Sequence, residues 1–439
     1  MSDPNPTSSP DGTHEKMTQD QLDALVQLHV RFLDGRLGGR RAILKHADLS
    51  GLSLRDKDLR QSDFSGCKMR DMDMENTNFQ EASLYVCDLT HCNLKNTNFV
   101  RADLRGARIE SARVQGADFQ NADLRSGGLS MDGSYQQPQN VVFRGANLSG
   151  AHLSGAMASN ADFSDAKMTG ANIENADLKG ADLTGADLSG AEIKNAKLEG
   201  AKLKSTILTD VELSHIARQG IDISSAVTDE NVGASIQDLD ATIDELIEAH
   251  ELWIATSGEK GQQLDLSGIN VRPIKELKQK RLTAMRAIGG KFFGMNLYQV
   301  HLQSAVMDES DLRQCDLETA DVRGASFQKS ILNHSNMKNL RGEPLMFGGG
   351  AGMKRFAPCN FTDAELKYVD LENAVLKKAV FINADLSQSS FKGADLREAD
   401  FTGAKLDGVN FDDANTEGAI FDRAASGSAF SLSSLKEDD

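Results

Sequence analysis

The residues of this sequence whose types and spacing could do chemistry fall into four sets. They are the cysteine pair Cys87 and Cys92, the histidines His29 and His250 on apolar stripes, a glycine-rich run that leads into Lys354 and Arg355, and a long series of aspartates. Closely spaced cysteines can hold a metal, histidines can move protons, glycine loops can cradle phosphate, and paired carboxylates can act as acid and base. Each chemistry needs companions. All five cysteines (Cys67, Cys87, Cys92, Cys315, Cys359) stand two positions before a large apolar residue, a slot that alanine fills elsewhere, and no histidine or carboxylate shares it. They read as buried structural thiols. No acid or second histidine recurs with His29 and His250, so these read as packing residues that hydrogen-bond free backbone groups. Gly348-Gly349-Gly350-Ala351-Gly352 is not a phosphate loop, because Lys354 does not follow the last glycine and no Ser or Thr follows it. No catalytic, cofactor-binding or metal-ligating set emerges.

What positions these residues is a period of five. Ala176-Asp177-Leu178-Lys179-Gly180, Ala181-Asp182-Leu183-Thr184-Gly185 and Ala186-Asp187-Leu188-Ser189-Gly190 are three consecutive copies in a run that starts near Leu44 and ends near Phe421. A step of five fits neither a helix nor a long strand, so each unit is a short extended piece and a corner. Residues two apart on an extended piece face the same way, which puts the large residue and the small residue before it inside. The aspartates recur on the outer face and read as corner residues. Backbone groups then pair with the coils above and below, about 4.8 Å away, in a parallel β-solenoid.

Phenylalanine gives the size of one coil, because a ring needs more room than Leu and should stack on itself. Phe79, Phe99 and Phe119 are 20 apart, as are Phe143 and Phe163, Phe391 and Phe411, and the set Phe361, Phe381, Phe401 and Phe421. Four pentads make a coil. On these A-(D/N)-L-x-x units the chain resembles the pentapeptide-repeat family, and the resemblance implies a mainly β fold, a quadrilateral right-handed parallel β-helix. The repeat is scaffold and by itself says little about function.

The organisation is duplicated. Leu22, Leu25, Val26, His29, Phe32 and Leu33 form an apolar helical stripe that Ile243, Leu246, Ile247, His250, Trp253 and Ile254 repeat. Thr18 with Gln21, and Thr242 with Glu245, have capping-box spacing. A solenoid end exposes an apolar lumen and unpaired strand groups, so each helix is expected to cover one, with Phe32 and Trp253 buried against the first coil. The expected domains are a disordered tail over 1–17, a cap helix with the first solenoid over 18–225, an acidic linker, cap helix and second solenoid over 226–425, and a disordered acidic tail over 426–439. Two segments break the period, 127–142 and 338–358, and they start at matching heights, since the separation from Leu49 to Phe143 and that from Leu266 to Phe361 differ by only one position. In the second solenoid Arg272-Pro273-Ile274 adds a residue to the step.

With 65 Asp and Glu against 48 Lys and Arg, a net charge of −17 disfavours direct nucleic-acid binding. The sequence has no membrane-span-length apolar run and no signal-peptide pattern at Met1 to Thr13, so a cytoplasmic location is expected. The segment 338–358 is the least scaffold-like and exposes Met346, Phe347, Met353 and Phe356; of it, Met346, Phe347, Met353, Lys354 and Arg355 form a candidate partner-binding loop. The expected function is a non-catalytic scaffold that presents solenoid walls and loops to a protein partner. The resemblance implies an alternative, an acidic DNA mimic that binds a type II topoisomerase such as DNA gyrase. That alternative draws on the acidic stretch Asp222 to Glu251, set against a basic stretch from Arg272 to Lys291. A secreted effector would need a delivery signal that Met1 to Thr13 does not show.

Overall fold

The computed structural model describes residues 16–128, 138–214, 216, 220–347 and 355–422. The expected tail over 426–439 and most of 1–17 lie outside them. The chain divides into two compact units between Asn231 and Val232.

In the first unit, parallel bridges step by one coil of four pentads and form four columns, for example Asp48 to Lys68 to Asp88, Ser53 to Asp73 to Asn93, Asp58 to Asn78 to Asn98, and Asp63 to Ser83 to Asp103. Each pentad supplies one bridge. Around Leu178, the Asp177 N–H donates to the Ala156 carbonyl below and the Leu178 N–H to the Lys197 carbonyl above, both at 2.9 Å. The Ala181 N–H closes the corner on the Leu178 carbonyl at 3.0 Å.

The corner explains the rest of the motif. Its left-handed residue is the second after the large apolar one, such as Asn175 (φ 58°) or Gly180 (φ 67°), which is why Gly, Asn and Asp collect there. The aspartate before the apolar residue has a different part: its carboxylate accepts the N–H two positions on, as Asp182 does from Thr184 at 3.1 Å. It caps the corner as an Asx turn.

The large residues and their small companions fill the lumen. Leu178, Leu183, Ala176 and Ala181 are buried, as are all five cysteines, each with a free thiol. Polar residues in the small slot reach the carbonyl one coil below. Thr77 Oγ1 donates to Leu54 at 2.7 Å, Cys87 Sγ to Phe64 at 3.0 Å and Cys92 Sγ to Met69 at 2.8 Å. The phenylalanine columns stack at coil spacing, Phe99 on Phe119 at 4.9 Å and Phe143 on Phe163 at 4.9 Å.

Helix α1 (Gln19–Leu33) begins at Thr18 with a complete capping box, and its Leu22 and Val26 share one hydrophobic cluster with Leu44 and Leu49. The ladder of this unit runs on through a bridge from Ile207 to Val227, and Ile216 and Ala226 are buried in the same cluster. For that reason the unit extends past 225.

The second unit opens with β1 (Ala234–Ser235), then α2 (Ile243–Ala255), whose N-cap Thr242 also forms a complete capping box. β1 pairs in parallel with β2 (Ile269–Asn270). The first bridges of this ladder (Asp265 to Arg286, Asn270 to Lys291) are one position longer than four pentads, and the extra residue is absorbed by a short 3₁₀ turn at Arg272–Ile274. From Glu276 to Ser326 each step is four pentads again.

In each unit one coil is enlarged. The bridge partner of Arg108 is Val142, and that of Ser326 is Asn360, so both ladders take an insertion of identical length at this step. The first insertion starts with an antiparallel bridge between Gly127 and Gln139 and is tied down by Tyr85, whose hydroxyl donates to the Gly128 carbonyl at 2.6 Å. The second starts as a hairpin of β3 (Leu345–Phe347) and β4 (Arg355–Ala357). A glycine sits beneath each. A Cβ on Gly106 would lie 2.8 Å from the Gly127 carbonyl oxygen, and one on Gly324 would lie 3.0 Å from Leu345 Cβ. Both glycines stand two positions before the enlarged step.

Candidate functional site

The segment expected to be an irregular loop leaves the wall as an ordered ribbon. Leu345 and Ala357 pair across it and lie against the wall at Gly324. Successive strand residues alternate faces, so Met346 and Phe356, the next pair, point away. They are 54% and 61% exposed and directly opposite one another, at a separation where cross-strand side chains meet. The structure thus brings Met346 together with Phe356. Phe347 pairs with Arg355 at the last described position of the ribbon, while Met353 and Lys354 lie outside the described residues. Phe356 is one of the apolar residues that the sequence places in this segment outside the repeat.

Both helices bury their histidines but not the aromatic residues three positions on. His29 is fully buried, its Nδ1 accepting the Ala42 N–H at 3.0 Å while Nε2 lies 3.0 Å from the Arg60 carbonyl, so Nε2 carries the proton. His250 is also fully buried and its Nδ1 accepts the Leu264 N–H at 3.0 Å. Its Nε2 lies toward the Thr283 carbonyl without a well-formed hydrogen bond. Phe32, in contrast, is 39% exposed, and Trp253 is half-buried. Each stacks on its histidine instead of entering the lumen, at 5.9 Å for Phe32 and 5.7 Å for Trp253. The physical reason is helical geometry: Val26 and Ile247, earlier on the same stripes, already fill the contact.

Burial pushes both imidazoles below the ordinary histidine pKa, with the nearby backbone carbonyls of Arg60 and Thr283 opposing it. A group depressed in the folded state stabilises fully above its unfolded pKa, near 6.5, and loses that contribution as pH falls toward the folded value. Protonating Nδ1 would also set two N–H groups against each other. Thermal stability should therefore fall between about pH 7 and 5, and Trp253 emission should change in step because the ring it stacks on acquires charge. His250→Leu should remove the Trp253 response; if it persists in that variant, the helix histidine is not its source.

The thiols are buried and held in the protonated form. Burial raises Cys67 and Cys92 to about 12, and raises Cys87, Cys315 and Cys359 as well. Among the described residues no three His, Cys, Asp or Glu side chains gather as a metal site, and no helix is long and apolar enough to cross a membrane.

Much of the acidic charge on the walls is locally paired. The recurrent device is an aspartate with arginine two positions on, as in Asp103 with Arg105 at 2.8 Å, Asp321 with Arg323 at 2.7 Å and Asp395 with Arg397 at 2.6 Å. The Arg397 guanidinium holds the Asp395 carboxyl below the usual carboxylate range. The acidic helix and basic edge of the second unit also meet, Lys280 Nζ lying 3.0 Å from Asp244. One outer pair is buried: Asp311 and Arg313 bond at 2.5 Å with side chains only 4% exposed each. Phe293 lies beside them, with the Arg272 guanidinium 3.8 Å from its ring centre.

The model of pentapeptide repeats, in 8 copies, matches residues 42–80, 87–125, 139–175, 171–210, 296–333, 359–397 and 394–424. The chain belongs to the pentapeptide-repeat family. Its fold is therefore the mainly β, right-handed β-helix of pentapeptide-repeat proteins. No curated protein matched the sequence. Similar solved structures include full-length QnrB1, a plasmid-mediated fluoroquinolone resistance protein, at 20% identity over 49% of this chain and 89% of that one, TM-score 0.31. HetL, a pentapeptide-repeat protein involved in heterocyst differentiation regulation in the cyanobacterium Nostoc, is 15% identical over 94% of this chain and 100% of its own, TM-score 0.17. A pentapeptide-repeat protein from the Arabidopsis thaliana thylakoid lumen is 27% identical over 25% of this chain and 74% of its own, TM-score 0.14. The fold rests on the family match and the ladder, not on these pairings.

Proposed function

We propose that this pentapeptide-repeat protein is a non-catalytic interaction protein, built as two solenoids that each begin under a cap helix, and that it binds a protein partner through the hairpin of the second unit. The observation that carries this reading is the exposed Met346 and Phe356 pair, held out from a rigid wall by the Leu345 and Ala357 contact with Gly324. Loops on rigid scaffolds are where binding residues concentrate, and a few apolar anchors dominate interface energy. The cap reading is supported by the burial of Leu22, Val26 and Ile247 in the clusters of the first coils.

The test is affinity capture with the intact chain and with a Met346→Ser/Phe356→Ser variant. The ladder does not use either side chain, so circular dichroism and melting should be unchanged, while recovery of the partner should drop by roughly tenfold or more, as loss of two anchors implies. Unchanged recovery would refute the hairpin as the binding site. Deletion of 338–358 is a poorer test, because Leu340 is buried and the Arg341 and Gly342 N–H groups belong to the ladder.

The DNA-mimic alternative draws on the net charge of −17. On the outer wall of the first unit, however, part of the acidic row is withdrawn from such a surface: Asp187 is buried and Asp182 is bonded to Lys202 at 2.8 Å. The hairpin reading is therefore preferred.

A further inference from the structure

One wall of the first unit departs from the charge pattern of the others. Its ladder column runs Ser53, Asp73, Asn93, Arg113, Asn147, Lys167, each bridged to the next. The residue at this place in a pentad is usually an aspartate that caps its corner, and Asn147 keeps that part, accepting the Ser149 N–H at 3.1 Å. Arg113 and Lys167 give the cap up. Elsewhere a cation at this place gains an ion pair, as Arg108 does with Glu110 and Lys202 with Asp182, both at 2.8 Å. Every other arginine from Leu44 to Thr209 also holds a carboxylate. Among the described residues, the exposed Arg113 holds none, and neither does Lys167.

The side chains around them share this character. Across the four coils from Asn93 to Lys167 no outward position of the wall carries an acid, and Lys95 adds a third cation, drawn by Glu75 of the coil below but without an ion pair. Asn93 Oδ1, Gln115 Oε1 and Ser149 Oγ are buried without a hydrogen-bond partner among the described residues. A wall shaped for stability alone would cap these corners and pair these groups. Acids return on this wall at Asp73 and Glu75 below the band and at Asp187 above it.

We propose that this band, centred on Arg113 and Lys167 with Lys95 at its margin, binds an extended acidic segment of a partner protein, independently of the hairpin in the second unit. On a chain of net charge −17, a band of unpaired cations is where a negative segment is drawn. Its extent selects the ligand. Four coils span three steps, about 14 Å, the length of about five extended residues. A nucleic-acid strand would run on past both margins and meet Asp73 and Asp187. In an extended segment, carboxylates two residues apart lie on one face about 7 Å from each other, within reach of the long side chains of Arg113 and Lys167, while Gln115 and Ser149 between them can turn toward its backbone groups. The adjoining corner leaves the approach clear, since a Cβ on Gly150 or Gly170 would meet nothing within 4 Å.

Fluorescence anisotropy with a labelled eight-residue peptide of alternating Glu and Ser tests this. The intact chain should bind it, more weakly as salt rises, and should not bind the same peptide with Lys in place of Glu. Arg113→Asn/Lys167→Asn should weaken binding by roughly tenfold. Because Asn restores the corner cap, that variant should melt no lower than the intact chain; a lower melting temperature would mean that the cations serve the fold, and would overturn the proposal. Arg70→Gln removes a cation already held by Asp88 and should leave binding unchanged. Arg113→Gln alone should cost roughly threefold, which keeps the test decisive if the double variant does not fold. No binding by the intact chain, equal binding by the double variant, or an equal loss in Arg70→Gln would overturn the proposal. So would tighter binding of an oligothymidylate of the same length, because the band would then be a nucleic-acid site.

Discussion

Phe381→Ala is expected to destabilise the second unit by about 3–5 kcal/mol, the cost of a phenyl-sized cavity in a core that cannot collapse around it. The ring is fully buried between Phe361 at 5.1 Å and Phe401 at 5.0 Å, nearly parallel to both. Those neighbours are fixed by the ladder at coil spacing, and backbone hydrogen bonds on both sides keep the coils from closing the gap. Phe401→Ala should cost less, because its upper neighbour Phe421 is half-buried and can relax. Urea unfolding followed by Trp253, the single tryptophan and a residue of this unit, reads both variants. The ordering is the informative part. Solenoid stability is a sum of nearest-neighbour terms, so a ring with two rigid neighbours must matter more than one near an end; equal losses would mean the last coil is as rigid as the middle.

The same column shows how far the sequence can be read. Phe361, Phe381, Phe401 and Phe421 are legible as one stack because their spacing is the coil period. Phe327 belongs to it as well, 5.2 Å from Phe361, but the insertion lies between them in sequence and takes Phe327 out of the coil period. The insertion is legible as a break; what the spacing does not reveal is that the ladder passes beneath it without losing register. Gly106 and Gly324 are the reason. They leave room for the departing backbone, yet in a chain where glycine fills so many corners nothing marks these two as special.

The hairpin is half legible. Met346 stands out as an apolar residue outside the repeat, whereas its pairing with Phe356 depends on an antiparallel register that begins beyond the pentads. The helices are legible in their stripe and caps, because both are local signals. Which stripe residue enters the lumen is not, since that depends on how each helix lies over its coil, and Val26 and Ile247 take the place expected of Phe32 and Trp253.

The pair Asp311 and Arg313 is hidden altogether, since its sequence is an ordinary Asp-Leu-Arg corner like Asp103-Leu104-Arg105. Arg105 is 41% exposed and Arg313 is 4% exposed, so the same corner carries different energetics. An exposed pair contributes about 0–1 kcal/mol, whereas removing one member of a buried pair leaves an uncompensated charge and costs about 3–5 kcal/mol. Arg313→Met is thus expected to destabilise the second unit by that amount, and Arg105→Met the first by less than about 1 kcal/mol. Asp311→Asn in the Arg313→Met background should recover most of the loss, because the stranded carboxylate is gone, while Phe293 and Met pack together. Denaturation of Arg313→Met, of Asp311→Asn alone and of the double variant, again read through Trp253, closes the cycle. If the double variant were as unstable as the sum of the two single ones, the buried wall would depend on each charge separately, through contacts other than the bond between them.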